Sequence, residues 1–352
     1  MSMLSDLCSR IMPADRSTAA AMQARLDHKT KPRRSLGRLE DLACRVAAMR
    51  ATLDPDVSAK AIVVMGADHG VADEGVSAYP QTVTRQMLLN FAAGGAAINV
   101  LARQAHAHVV VVDMGVKEPL PATLDIRARR IGPGTRNFAR EPAMTRAQAE
   151  GALAAGVTMA EEMIRDGVSL IGLGDMGIAN TTSASAITAA LSGAAPENAT
   201  GRGTGIDEAG WRRKVDVIAH ALALHRPDPD DPLDVLSKVG GFEIAGLAGV
   251  VLAGAAHRTP VMLDGFITGA AALVAVRVAP AAAEYLIASH QSVEAGHRVV
   301  LAAMGLTPLL DLDLRLGEGT GAALAMPLVD AALAIAREMA TFETAGVSDS
   351  GA

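Results

Sequence analysis

Ser169-Leu170-Ile171-Gly172-Leu173-Gly174-Asp175-Met176-Gly177-Ile178-Ala179-Asn180-Thr181-Thr182 is the stretch that decides the fold. An apolar run of strand length closes in a polar, glycine-rich turn, and a helical pattern from Ser183 to Leu191 follows at once. The same succession recurs along the chain. Ala61–Met65 ends in Gly66-Ala67-Asp68-His69-Gly70, Val109–Val112 in Asp113-Met114-Gly115, and Pro260–Leu263 in Asp264-Gly265. Helical patterns over Val83–Arg103, Thr145–Asp166 and Trp211–Leu224 stand between or beyond these runs. Strand, polar turn and helix in repetition predict an α/β fold with an open, mostly parallel sheet and flanking helices. The Gly, Asp, Asn and Thr clusters all fall just after apolar runs, at strand C-termini, the edge where open α/β sheets bind ligands.

Composition agrees with this outline. Half of the 352 residues are hydrophobic, yet only five Phe, two Tyr and one Trp occur, so the core must be aliphatic. Thirty-four glycines allow backbone to approach backbone or ligand. A net charge of -6, without a basic stripe or interleaved aromatics, argues against nucleic-acid binding. Two cysteines, Cys8 and Cys44, imply no disulfide framework and favour a reducing compartment. Met1–Arg16 is too charged for a signal peptide, and the uncharged run Ile244–Ala256 is too short to span a bilayer, so it reads as a buried helix. A cytoplasmic protein without membrane partners is expected. Residues from Ser17 to Arg50 read as helices, with Leu36, Leu39, Leu42, Ala43 and Val46 on one face. The last long helix, Ala322–Met339, is expected to pack with them. This divides the chain into an α/β core over 56–334 and a small helical lobe from 1–55 with 335–352, with a frayed tail from Thr344 onward.

Four segments carry candidate chemistry. In Arg315-Leu316-Gly317-Glu318-Gly319-Thr320-Gly321 a carboxylate stands between glycines, with little steric cover against a ligand. It reads equally as an acid complementing the macrodipole of the helix from Ala322, although a simple cap needs none of the glycines. After the glycine loop, Asn180, Thr181 or Thr182 sits where helix N-terminal N–H groups form an anion site suited to phosphate, or where it merely caps. Gly201-Arg202-Gly203-Thr204-Gly205 is a flexible loop preceding Lys214, whose helix carries Val215, Ile218 and Leu222 as its apolar stripe. Ser289–Gly296, with Ser292, supplies either donors to the same phosphate or a capping box. The nine histidines show no metal-ligand spacing, so neither a metal nor a cofactor is expected. Val261–Gly269, with Asp264, superficially resembles a loop that binds phosphoribosyl pyrophosphate, but lacks the paired acids of that class. Such a transferase and a nucleotide-dependent oxidoreductase are the alternatives at this point, with a non-catalytic nucleotide sensor behind them.

Six segments taken in order resemble one family along nearly the whole chain: Lys31–Glu40, Ala67–Val76, Asn180-Thr181-Thr182, Lys238–Glu243, Leu263–Phe266 and Leu316–Pro327. The chain is similar to the nicotinate-nucleotide:dimethylbenzimidazole phosphoribosyltransferases of cobalamin biosynthesis. That resemblance implies a Rossmann-like core, a helical lobe from both chain ends, and a homodimer. It also implies transfer of phosphoribose from nicotinate mononucleotide to 5,6-dimethylbenzimidazole, with inversion at C1', giving α-ribazole 5'-phosphate and nicotinate. Glu318 matches the family's general base. Lys214, Ser292, Gly177 and the Gly203 loop match positions near phosphate and ribose, while Tyr79 and Gln86 fall in the segment that lines the base pocket. Asp264 and Gly317 lie within matched motifs and join the expected substrate-binding set. Asp175 stands where well-studied members carry Glu, one methylene longer, and is expected to take part in catalysis by orienting water or the incoming base.

Overall fold

The computed structural model describes residues 3–203 and 205–348. Thr204, inside the expected glycine loop, and residues 349–352 of the expected frayed tail lie outside the described residues.

Six parallel strands form the central sheet: β1 Lys60–Ala67, β2 Ala107–Gly115, β3 Arg127–Ala128, β4 Leu170–Met176, β5 Val261–Leu263 and β6 Leu286–Ala288. Their order is β3-β2-β1-β4-β5-β6. All five pairings are parallel, Ile62 facing Val109 on one side and Gly172 on the other. This is the Rossmann strand order, and its topological switch point lies between β1 and β4. β1 is buried along its whole length, as a central strand covered by helices on both faces must be. The short β3 and β6 escape a reading of apolar runs, since two or three residues carry no period. A separate two-stranded sheet pairs β7 His290–Gln291 with β8 Leu310–Asp311.

The expected helix Val83–Arg103 is corrected to two, Thr82–Ala92 and Ala97–Gln104. Gly94 takes φ +78 between them, and Asn99 holds the new start by accepting from the Ala96 amide and donating to the Phe91 carbonyl. The helix expected from Ser183 begins at Asn180 instead, so the Asn-Thr-Thr run is its first turn rather than its cap. The cap position is Ala179, at φ +73, and no side chain caps it. Phe242–Ala256 is buried along nearly its whole length. It packs against Arg146–Arg165 so closely that a Cβ on Gly156 would lie 1.8 Å from the Gly246 carbonyl oxygen.

Helices Arg16–Asp27 and Arg38–Arg50 pack together, and the latter lies against Thr320–Glu338. That last helix also covers β4 and β5. It is apolar and long enough to cross a membrane by composition alone, and more than half of it is buried in this fold. An antiparallel bridge between Lys29 and Thr341 ties the two chain ends. The tail expected to fray from Thr344 begins instead within a short helix, Phe342–Ala345, capped by Thr341.

Candidate active site

Above the C-terminal ends of β4 and β5 lies a cleft of about 410 Å³, within the range of small-molecule sites. Among the residues expected at the site, Tyr79, Asp175, Gly177, Asn180, Thr181, Gly203, Ser292, Gly317 and Glu318 line it. Gln86, Lys214 and Asp264 do not. Gln86 is exposed on its helix, and Val83 and Met87, one turn apart, present the wall instead. Lys214 is buried one layer behind, where its Nζ donates to Thr181 Oγ1 at 2.6 Å. Asp264 is fully buried, and its carboxylate is taken up by backbone amides rather than facing the cleft, which corrects its expected contact with substrate.

The cleft has two poles and an acid pair. Val83, Met87, Ile178, Phe266, Ile267 and Leu316 make apolar walls, with exposed Tyr79 at the mouth. Asn180, Thr181, Gly203, Ser292 and Glu294 form the polar end. Burial pushes the Lys214 ammonium down to about 8, and the Glu294 charge works against that shift. Ser292 is held at this pole because its amide donates to His297 Nδ1 at 3.0 Å. The capping-box reading of this segment is not what forms: the helix Ala295–Met304 has no side-chain cap. Arg212 and Arg213 are exposed on the same helix as Lys214 and pair with Glu208 and with the Gly75 carbonyl.

Glu318 enters from the loop before Thr320–Glu338. Gly317, Glu318 and Gly319 take φ +81, +64 and +95, three left-handed residues in succession. The loop rests directly on β4, for a Cβ on Gly174 would lie 2.4 Å from the Glu318 carbonyl oxygen. The Glu318 carboxylate is nearly buried, and its Oε2 has no hydrogen-bond partner. Burial raises its pKa to about 7, a backbone hydrogen bond from Ile98 opposes this, and the charge of Asp264 adds to it. Asp175, at the end of β4, is raised well above the usual carboxylate range by burial first and then by Asp264. Its Oδ2 accepts from Asn180 Nδ2 at 2.9 Å, while Oδ1 is unpartnered. Beneath this floor, His69 is fully buried between Glu243 Oε1 at 2.6 Å and Ser183 Oγ at 3.0 Å, against Gly177.

Sequence reasoning missed Val83, Met87, Phe266, Ile267, His290 and Glu294. The apolar members look like core residues until the sheet places them, whereas His290 and Glu294 flank Ser292 and were open to inspection.

A cleft at the C-terminal edge of the sheet that joins an apolar slot, a polar end and a glycine-framed carboxylate suits an α/β group-transfer enzyme. A family model described as Phosphoribosyltransferase matches residues 11–347. The chain is 56% identical over 348 residues to the nicotinate-nucleotide–dimethylbenzimidazole phosphoribosyltransferase of Roseiflexus sp. (strain RS-1), covering 99% of each. It is 54% identical to the protein of that name from Geobacter metallireducens, over 99% of this chain and 98% of that one. The crystal structure of CobT from Thermus thermophilus superposes with a TM-score of 0.91 at 52% identity, covering 94% of this chain and 99% of that one. The chain belongs to the nicotinate-nucleotide–dimethylbenzimidazole phosphoribosyltransferase family.

Proposed function

We propose that this enzyme transfers phosphoribose from nicotinate mononucleotide to 5,6-dimethylbenzimidazole, releasing nicotinate and α-ribazole 5'-phosphate, with Glu318 as general base. The observation that carries the reading is Glu318 itself, a buried carboxylate with one unpartnered oxygen, between an apolar slot and an anion pole. In the substrate the leaving ring is a pyridinium, so it departs with the C1'–N electron pair as a neutral aromatic ring. One benzimidazole nitrogen forms the new bond to C1', and its other nitrogen then loses a proton to Glu318. A base matched to neutral pH serves this step, and the cleft adds alignment of the two rings across the ribose.

The phosphate is assigned to Asn180, Thr181, Gly203 and Ser292, with Lys214 behind them. Asp175, whose pKa burial raises well above the usual carboxylate range, is placed to orient the ribose or the incoming base. Attack opposite to the leaving ring inverts C1' and gives the α anomer. The working species is a homodimer in the cytoplasm. Incubation with both substrates tests the reading: mass spectrometry should show α-ribazole phosphate and nicotinate in equal amounts. Nicotinate without the coupled product would reject the transfer, and a β anomeric proton signal would reject single displacement.

A further inference from the structure

The loop that carries Glu318 is strained, and something outside it must hold it. A left-handed conformation costs a residue with a side chain roughly 1–2 kcal/mol, and such strain persists only where the surroundings over-determine it. The helix that follows supplies no cap of its own, because its cap position is Gly319. Asp264 takes that place from another element. It follows β5 directly, is fully buried, and accepts from the Gly319 amide at 3.0 Å and the Gly321 amide at 2.6 Å, one oxygen each. From the other side, Thr320 Oγ1 donates to the Gly317 carbonyl at 2.8 Å.

We propose that Asp264 is a positioning residue for catalysis, a clamp from β5 whose two amide contacts fix the Gly317–Gly319 turn and hold the Glu318 carboxylate over the cleft. This rests on the reading of Glu318 as the base. The clamp has an electrostatic consequence as well. Asp264 is a like charge near Glu318, and so it raises the pH at which Glu318 sheds its proton. The other titratable or charged groups lining the cleft with Glu318 are Tyr79 at the mouth, Asp175 from β4, His290 from β7, Glu294 and Arg315. His290 Nε2 also lies 3.6 Å from Asp264 Oδ1.

The test is Asp264→Asn, followed by pH profiles of kcat and kcat/KM. An Asn keeps the shape but sets an NH₂ group against one of the two amides. The expected result is a kcat lowered roughly ten- to hundredfold by misplacement of the base, with KM for nicotinate mononucleotide within about threefold of the parent. The acid limb of kcat/KM should move to lower pH, because the like charge is gone. A lowered kcat with an unmoved acid limb would reduce Asp264 to an ordinary helix cap, and an unchanged kcat would remove it altogether. If the variant does not fold, the parent enzyme still decides. Its Gly319 and Gly321 amide protons should exchange with deuterium slowly, and exchange as fast as in an exposed loop overturns the clamp. Glu318→Gln separates the two claims. A fully active Glu318→Gln enzyme rejects the base itself, whereas an inactive one beside an unaffected Asp264→Asn rejects only the clamp.

Discussion

At the residue scale, two buried groups of opposite charge set the pH range in which the enzyme should work. Glu318 accepts a proton only when ionised, so kcat/KM should rise with pH through about 7, where burial places its pKa. Lys214 attracts phosphate only when protonated, and burial brings it down to about 8. Affinity for nicotinate mononucleotide should therefore fall as the pH rises past that value, giving a narrow bell. Glu318→Gln should keep the fold and substrate binding, lose turnover by roughly a hundredfold or more, and erase the acid limb. A folded Gln variant with near-normal rates would exclude Glu318 from the mechanism. Ser292→Ala should weaken the nucleotide by about 1.5–3 kcal/mol, the scale of a charge-assisted contact, and Lys214→Ala, which acts from behind Thr181, should weaken it by less. Nicotinate riboside, which has no phosphate, is the control: an equal loss on the riboside would end the phosphate assignment. The carboxylate Glu318 was legible in the sequence because three glycines surround it. Asp264 was legible only as a polar residue after a strand, since nothing local says that its partners lie more than fifty residues away.

At the element scale, glycine decides how closely the helices approach. Gly156 and Gly246 bring two buried helices into backbone contact behind the sheet. Gly156→Ala should force them apart, at about 2–3 kcal/mol for overpacking with no flexible side chain to yield. That should appear as a Tm lowered by roughly 3–6 °C, and an unchanged Tm would show that the interface is looser than described. The same scale holds the clearest difference between sequence and structure. Val83–Arg103 reads as one apolar helical pattern, but Gly94 and the Asn99 cap break it. The break matters to the site, because it sets Ile98 at a helix start where its amide reaches Glu318. A hydrophobic period cannot reveal such a break when both halves bury the same kind of face.

At the scale of the whole molecule, the homodimer that the resemblance implies gives the remaining prediction. The protein should run as a dimer in light scattering at working concentrations, and a fully active monomer would sink that assignment. Strand, polar turn and helix in repetition were enough to determine a parallel α/β sheet with its chemistry at the C-terminal edge, because the period of burial and the demands of turns are local properties. The glycine-framed carboxylate, the Asn-Thr-Thr turn and the glycine loop were legible for the same reason. Which of these groups share one cleft, which of the expected residues stand a layer behind it, and which apolar side chains form its walls were decided only by the tertiary structure. Strand order brings β4 beside β5, and with them Asp175, Asp264 and the Glu318 loop, into one low-dielectric volume. Only there is Glu318 desolvated beside the charge of Asp264, and burial first, with that charge adding to it, raises its pKa to about 7.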